Sequence, residues 1–296
     1  MISIVMAVWN RKELTEITIK SVLAQTYKDF EFIIVDDGST DGVVEMIEEY
    51  VKKDKRIKLI KTKHSGCTDT TNVGFKEMKG DVVCVLGSDD LWTPNKLERQ
   101  VEFAKDYPDY ILHTNSINID EEGNEIYKVF FNDATPIEYK QIALSKAGPW
   151  FATSSWYIPR NIFDKVGEFE GIYNDYQWIM RAILLHDAKM KLIPEFLTSH
   201  RTTKESNTFK FIGQTKFKEL AKEIQTKIME EMGEEKILNI IKDSVLICSR
   251  CKREIPKICP ECGADLRKKE NIICRFGMDY TDTTPNHCVK CWEKIK

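Results

Sequence analysis

Glu31-Phe32-Ile33-Ile34-Val35-Asp36-Asp37-Gly38-Ser39-Thr40-Asp41-Gly42 is the stretch on which the fold turns. Its first five residues read as a buried strand, and two carboxylates stand where that strand ends. In an open α/β sheet, ligands bind just beyond the carboxyl ends of strands, so Asp37 is placed to accept hydrogen bonds from a ligand. The run from Gly38 to Gly42 then supplies a tight turn and a helix start. Asp, Ser and Gly favour such turns in any protein, so this run alone leaves a plain strand-to-helix turn open.

Working outward, the first 110 residues alternate strand and helix. Ile2–Val8 is a short apolar strand. Leu14, Ile17, Ser21 and Ala24 are expected to line one face of a helix. Val43, Met46, Ile47, Tyr50 and Val51 do the same for the next, and Ile57–Ile60 and Asp81–Leu86 read as further strands. Thr93 is expected to cap a helix that has Pro94 at its first position and Leu97, Val101 and Ala104 as its apolar stripe. Such alternation predicts an α/β fold, a mainly parallel sheet flanked by helices.

A second acidic run, Leu86-Gly87-Ser88-Asp89-Asp90-Leu91-Trp92, again follows an apolar strand. Adjacent carboxylates repel unless a cation neutralises them. A divalent ion bridging phosphate oxygens is a common solution, because Mg²⁺ and Mn²⁺ take one or two protein carboxylates plus substrate phosphate. With Thr93 serving as cap, both acids are left over for that purpose.

The chain has 296 residues, enough for a large domain and a small one. A formal net charge of -3 argues against wholesale nucleic-acid binding, and no apolar run approaches the ~20 residues that span a bilayer. Met1–Val8 lacks a basic leader and reads as a strand rather than a signal peptide. Nine cysteines are present, and seven of them crowd the stretch from 248 onward, with CxxC spacing. Without a secretion signal that pattern means metal, and it implies a reducing, cytoplasmic compartment.

Past 110 the pattern loosens. Ile111–Ser116 and Ile126–Phe130 read as strands around an Asp120–Asn124 turn, Ser154–Ile158 as another strand, and Tyr176–His186 as a helix. Residues 214–246 read as amphipathic helices broken at Gly233, for packing and linkage, with lysines that leave peripheral membrane contact open. The expected division is 1–210, a helical linker over 211–247, and a cysteine-rich module over 248–296.

Four runs in order carry a resemblance: Ile4–Asn10, Ser21–Tyr27, Phe32–Asp41 and Gly87–Trp92. Over roughly residues 1–205 the chain resembles the family 2 glycosyltransferases of GT-A fold. The resemblance implies a nucleotide-diphosphate-sugar donor, with UDP expected. It places the base against Trp9 and the backbone near Ala7, with Asp37 bonded to the base. Asp89 would contact the ribose or donor sugar. Asp90, with Asp89 beside it, would hold Mn²⁺ or Mg²⁺. An inverting transfer needs a general base, and the family's acidic helix-opening motif is matched by Tyr173–Arg181, which makes Asp175 the candidate. The chain departs from many relatives in two places. Gly87 stands where they carry an Asp, and Thr70-Thr71-Asn72 stands where they carry Ala-Arg-Asn. The second change removes a cation near the diphosphate, for which Lys63 or His64 could substitute. His200 is a further candidate ligand, and Trp150, Trp156 and Trp178 are candidates for an acceptor-stacking platform. The acceptor is left open among a glycan, a lipid-linked molecule and a protein.

In the tail, Cys248 and Cys251 form one CxxC knuckle, and Cys259 and Cys262 form another. Four thiolates from two tight turns make a closed tetrahedral Zn²⁺ site, so a zinc ribbon is expected. Cys274, His287, Cys288 and Cys291 supply a candidate second site. The tail holds eleven Lys or Arg against seven Asp or Glu, and it reads first as a protein-docking module and second as a nucleic-acid binder. Two rival functions stand beside the transferase: a nucleotidyltransferase on the same fold, and an inactive sugar-nucleotide-binding scaffold acting through its zinc tail.

Overall fold

The structure, a computed structural model, describes residues 1–144, 151–203 and 215–242. Five strands form the main sheet: β1 (Ile2–Val8), β2 (Phe30–Asp36), β3 (Ile57–Lys61), β4 (Val82–Val85) and β8 (Ile158–Pro159). Their order is β3-β2-β1-β4-β8, with the first four parallel and β8 antiparallel at the edge. The helices of the first half are α1 (Lys12–Leu23), α2 (Val43–Lys53), α3 (Cys67–Lys76) and α4 (Lys96–Asp106). Strands buried on both faces read as continuous apolar runs. Accordingly Ile4, Met6, Phe32 and Ile34 pack on one side, and Val5, Ile33 and Val35 on the other.

The strand order decides where a ligand can sit. From β1 the chain winds outward through β2 and β3, then returns to place β4 on the other side of β1. That reversal opens a crevice beyond the carboxyl ends of β1 and β4. β1 runs on to Val8 beside Asp36, whereas its register with β4 stops at Val5 opposite Val85. Ala7 and Val8 therefore extend past their β4 neighbour at the crevice.

A second sheet was not expected. It comprises β5 (Leu91–Trp92), β6 (Tyr110–Ile119), β7 (Glu125–Val129) and β9 (Lys189–Arg201), ordered β5-β9-β6-β7. The β6–β7 hairpin turns at Asp120–Asn124 as the sequence indicates. The helices α5 (Pro136–Leu144), α6 (Arg160–Val166) and α7 (Asn174–Leu184) cover this half. Thr135 and Glu138 start α5 with reciprocal side-chain-to-backbone bonds, a capping box. The helices α8 (Thr215–Met232) and α9 (Glu234–Lys242) meet at Gly233 (φ +80°), and Ala221, Ile228, Met232, Ile237 and Ile240 join the core that α7 lines.

Three local expectations are corrected. The buried face of α1 is Thr15, Thr18, Ile19 and Val22, while Ile17 and Ala24 are exposed; the Thr18 hydroxyl can face the interior because it donates to the Asp90 carbonyl. Thr93 does not cap α4: the helix starts at Lys96 behind Asn95, and Thr93 closes a turn through its carbonyl. Residues 153–155 form a 3₁₀ turn rather than a strand, and only Tyr157–Pro159 pairs with neighbours. The candidate zinc ligands Cys248, Cys251, Cys259, Cys262, Cys274, His287, Cys288 and Cys291, and the candidate stacking residue Trp150, lie outside the described residues.

Candidate active site

The loop after β1 closes one side of the crevice. Asn10 and Arg11 are consecutive non-glycine residues in the left-handed region, at φ 57° and 62°. Such a pair persists only where neighbours hold it. Here the Asn10 amide donates to the Ser39 hydroxyl at 2.8 Å, the Thr40 amide to Asn10 Oδ1 at 2.9 Å, and the Lys12 amide to Asp41 at 2.9 Å. The Gly38–Gly42 turn of the opening motif is thus the clamp on this loop. Asp36 shapes that turn by accepting from the Gly38 and Ser39 amides.

Asp37 is buried, and its carboxylate faces the loop before α3. Oδ1 accepts from the Ser65 amide at 2.7 Å and from its hydroxyl at 3.4 Å; Oδ2 accepts from the Gly66 amide at 3.0 Å and lies 2.9 Å from His64 Nδ1. Burial alone would raise its pKa, but the amides, Thr70 and His64 hold it below the usual carboxylate range. Gly38 lets this loop approach: it sits at φ +74°, and a Cβ there would lie 3.0 Å from the His64 amide nitrogen. Trp9 stacks on His64 with centroids 4.6 Å apart and is 52% exposed, so one indole face is free at the crevice mouth.

The acids after β4 form the floor. Asp89 pairs with Arg11 at 2.6 Å. Asp90 is buried; it takes the Ser154 hydroxyl, the Arg201 amide at 2.9 Å and His200 Nδ1 at 3.1 Å. The guanidinium of Arg201 ties the floor to the β6–β7 turn by donating to the carbonyls of Asp89, Asp120 and Glu121. Burial and the charge of Asp90 push Asp89 up to about 6. For Asp90 burial acts upward, yet His200, Ser154 and the Arg201 amide hold it below the ordinary value. Burial lowers His200, but Asp90, Asp89 and Asp175 together raise it to about 9. His200 and Arg11 are thus cations set against two adjacent acids, which is the charge a divalent ion would supply. Asp89 and Asp90 are the residues that could hold one, with His200 beside them able to join only after losing its proton. Among the described residues no group of three or more such side chains is arranged to hold a metal ion.

Gly87 explains the shortened acidic run. A Cβ there would stand 2.9 Å from Asp90 Oδ2 and 3.3 Å from Asp89 Oδ1. A side chain at 87 would therefore displace the Asp90 carboxylate from this pose. Thr71, in place of the family's Arg, is buried and bonds the Cys67 carbonyl at 2.7 Å. Among the described residues Arg11, which the sequence did not single out, is a cation paired directly with Asp89. Lys63 and His64 are exposed on the loop behind Asp37.

Asp175 opens α7 and belongs to the same crevice. It accepts from Thr153 Oγ1 at 2.5 Å, and Thr153 precedes the Ser154 that holds Asp90. The aromatic platform is not where it was expected. Trp156 and Trp178 are each 1% exposed and pack in the core. Tyr127, which was not singled out, is 53% exposed, with its hydroxyl taking Asn118 Nδ2 at 2.7 Å. Asn118 pairs with Tyr127 on one side and His200 on the other, so all three share one sheet face.

A sequence profile of glycosyl transferase family 2 matches residues 3–167. The chain belongs to glycosyl transferase family 2. It is 30% identical over 236 residues to an uncharacterized glycosyltransferase of Methanocaldococcus jannaschii, covering 73% of this chain and 76% of that one. Other curated glycosyltransferases match over 127 or 128 residues, and there the match spans only 18% to 51% of the relative's length. Its fold is that of S. aureus TarS in complex with UDP-GlcNAc (TM-score 0.61, 18% identity, 80% of this chain and 66% of that one). The mannosyltransferase PcManGT of Pyrobaculum calidifontis, in complex with GDP-Man and Mn²⁺, shares it too (TM-score 0.56, 15% identity, 83% and 76%). Among the described residues no helix is long and apolar enough to cross a membrane.

Proposed function

We propose that this family 2 domain transfers a sugar, with inversion, from a nucleotide-diphosphate donor to an acceptor hydroxyl, and that UDP is the nucleotide. The observation that carries the reading is that Asp90 and Asp175 are held by neighbouring hydroxyls of one turn, Ser154 and Thr153, while Asp89 pairs with Arg11 on the loop clamped by the turn that follows Asp37, all beside a sheet switch point. The like-folded TarS and PcManGT structures hold UDP-GlcNAc and GDP-Man with Mn²⁺, which supports a sugar nucleotide and a divalent ion.

In this reading the base lies against the free face of Trp9 and the backbone at Ala7. Its N–H takes the place of the long Ser65 hydroxyl bond on Asp37 Oδ1. Asp89 receives a ribose or sugar hydroxyl, and Arg11 turns from Asp89 to the diphosphate. Asp90, with Asp89 and His200 beside it, holds Mn²⁺ or Mg²⁺. When bound, that ion neutralises charge on the departing diphosphate. Asp175 takes the acceptor's proton as its oxygen attacks the anomeric carbon; the bond from that carbon to the diphosphate oxygen breaks, and the nucleoside diphosphate leaves with the electron pair. Thr153 keeps Asp175 aimed. Tyr127 offers a fixed ring face for a sugar of the acceptor. The cysteine tail is read as a zinc ribbon that docks a protein, and the chain as cytoplasmic.

The test is release of nucleoside diphosphate from a panel of UDP-sugars and GDP-mannose, with and without MnCl₂. Metal-dependent release that vanishes in Asp90→Ala supports the reading. Donor binding without turnover on any acceptor would favour an inactive scaffold instead.

A further inference from the structure

Lys96 is fully buried in the first turn of α4, with no carboxylate partner among the described residues. Its ammonium donates to Gln100 Oε1 at 2.8 Å and stands 3.9 Å above the Trp92 ring. Both partners lead to the same place. Gln100 Nε2 donates to the Ser155 carbonyl at 2.8 Å, and Trp92 Nε1 donates to the Ser154 carbonyl at 2.7 Å. These adjacent carbonyls belong to the 3₁₀ turn whose hydroxyls, Thr153 and Ser154, hold Asp175 and Asp90.

The ammonium fixes the polarity of this network. An amide that accepts from Lys96 presents its NH₂ to Ser155; with no donor at 96, the buried Gln100 Oε1 loses its partner and the side chain is held at one end only. A cation on the indole face likewise holds the Trp92 ring in place. Burial pushes the Lys96 pKa down to about 8, opposed by nearby Cys84, so the charge is a burden on the fold. A residue kept for stability alone would be apolar here.

We infer that Lys96 is a positioning residue: through Trp92 and Gln100 it sets the 153–155 turn, and so the aim of Asp90 and Asp175. The inference rests on the reading of the crevice as a metal-dependent nucleotide site.

The experiment compares the full chain with Lys96→Met, Gln100→Leu and the double variant. MnCl₂ with UDP is titrated calorimetrically, unfolding is followed in urea, and the Trp92 indole N–H is followed by NMR. Lys96→Met should weaken UDP–Mn²⁺ binding by about tenfold, the usual effect of losing an outer-shell partner. It should leave the urea midpoint unchanged or higher, and expose the Trp92 indole to faster exchange. Gln100→Leu should also weaken binding, and the double variant should lose less than the product of the two singles. Unchanged affinity with an unchanged Trp92 signal would overturn the inference. So would an affinity loss matched by a lower urea midpoint, which marks a purely structural lysine. If the unmodified chain takes up no UDP with MnCl₂, the functional reading fails, while the indole exchange still shows whether Lys96 holds the turn.

Discussion

Asp90 and Asp175 are held by neighbouring hydroxyls: Ser154 donates to Asp90, and Thr153 donates to Asp175 at 2.5 Å. One 3₁₀ turn therefore sets the distance between the proposed ion-binding acid and the proposed base. A shift of that turn moves both groups together, and misplacement of reacting groups by about 1 Å is expected to cost on the order of a hundredfold in rate.

Ser154→Ala removes a charge-assisted bond to a buried carboxylate. Activity at limiting MnCl₂ should fall by about tenfold to a hundredfold, with partial recovery at high MnCl₂. Equal loss at every MnCl₂ concentration would show that Ser154 does not act through Asp90.

Asp175→Asn keeps the shape of the side chain and removes its capacity to take a proton. Turnover with acceptor should drop by roughly a hundredfold or more, while UDP–Mn²⁺ binding, read by calorimetry, stays at the level of the unmodified chain. Retained turnover would assign the base elsewhere.

Much of this site was legible in the sequence, because strand-end acids follow from short-range patterns. The runs at 31–38 and 82–90 alternate apolar strand and acidic turn, and parallel strands place such turns at one end of the sheet. Of the second sheet only the β6–β7 hairpin was legible, since β5 is two residues long and β9 gains its pairing from β6, about eighty positions away. The supporting groups were not legible. Thr153, Ser154 and Gln100 are ordinary polar residues until the fold gives them partners, and Arg11 enters the site because Ser39, Thr40 and Asp41 hold its neighbours Asn10 and Lys12. Trp156 and Trp178 went to the core, the commoner use of a buried indole.

Gly87→Ala tests the pose of the acids. A methyl group 2.9 Å from Asp90 Oδ2 must push the carboxylate off Ser154 or His200. Overpacking of this kind costs about 1–3 kcal/mol where it cannot relax. The expected outcome is weaker Mn²⁺ binding in a chain whose urea midpoint falls little, since the neighbouring acids rather than the core absorb the strain.

The cysteine tail gives a measurement that does not depend on the crevice. A ribbon of this length has too small a core to fold without metal, so ion binding supplies its folding free energy. Purified protein should carry one or two zinc ions per chain by elemental analysis, and chelation should release them without abolishing UDP–Mn²⁺ binding. Metal-free protein with nine titratable thiols would refute the ribbon.

His113 sets an acid limit on stability. It is fully buried on β6, with Nε2 2.7 Å from the Tyr139 hydroxyl and Nδ1 without a hydrogen-bond partner among the described residues, between the rings of Phe131, Tyr139 and Phe151. Burial lowers its pKa from the ordinary 6.5 to about 3. Between those values the unfolded chain binds a proton that the folded chain refuses. Its contribution is therefore fully present above pH about 6.5 and is lost progressively as pH falls toward 3. One such proton gives a slope of about 1.4 kcal/mol per pH unit at most. His113→Phe, which suits the aromatic surroundings but strands the Tyr139 hydroxyl, should lower stability at pH 7 and flatten its decline from pH 6 to 4. Urea midpoints across that range test this, and an equal slope in both proteins would place the acid sensitivity in other groups.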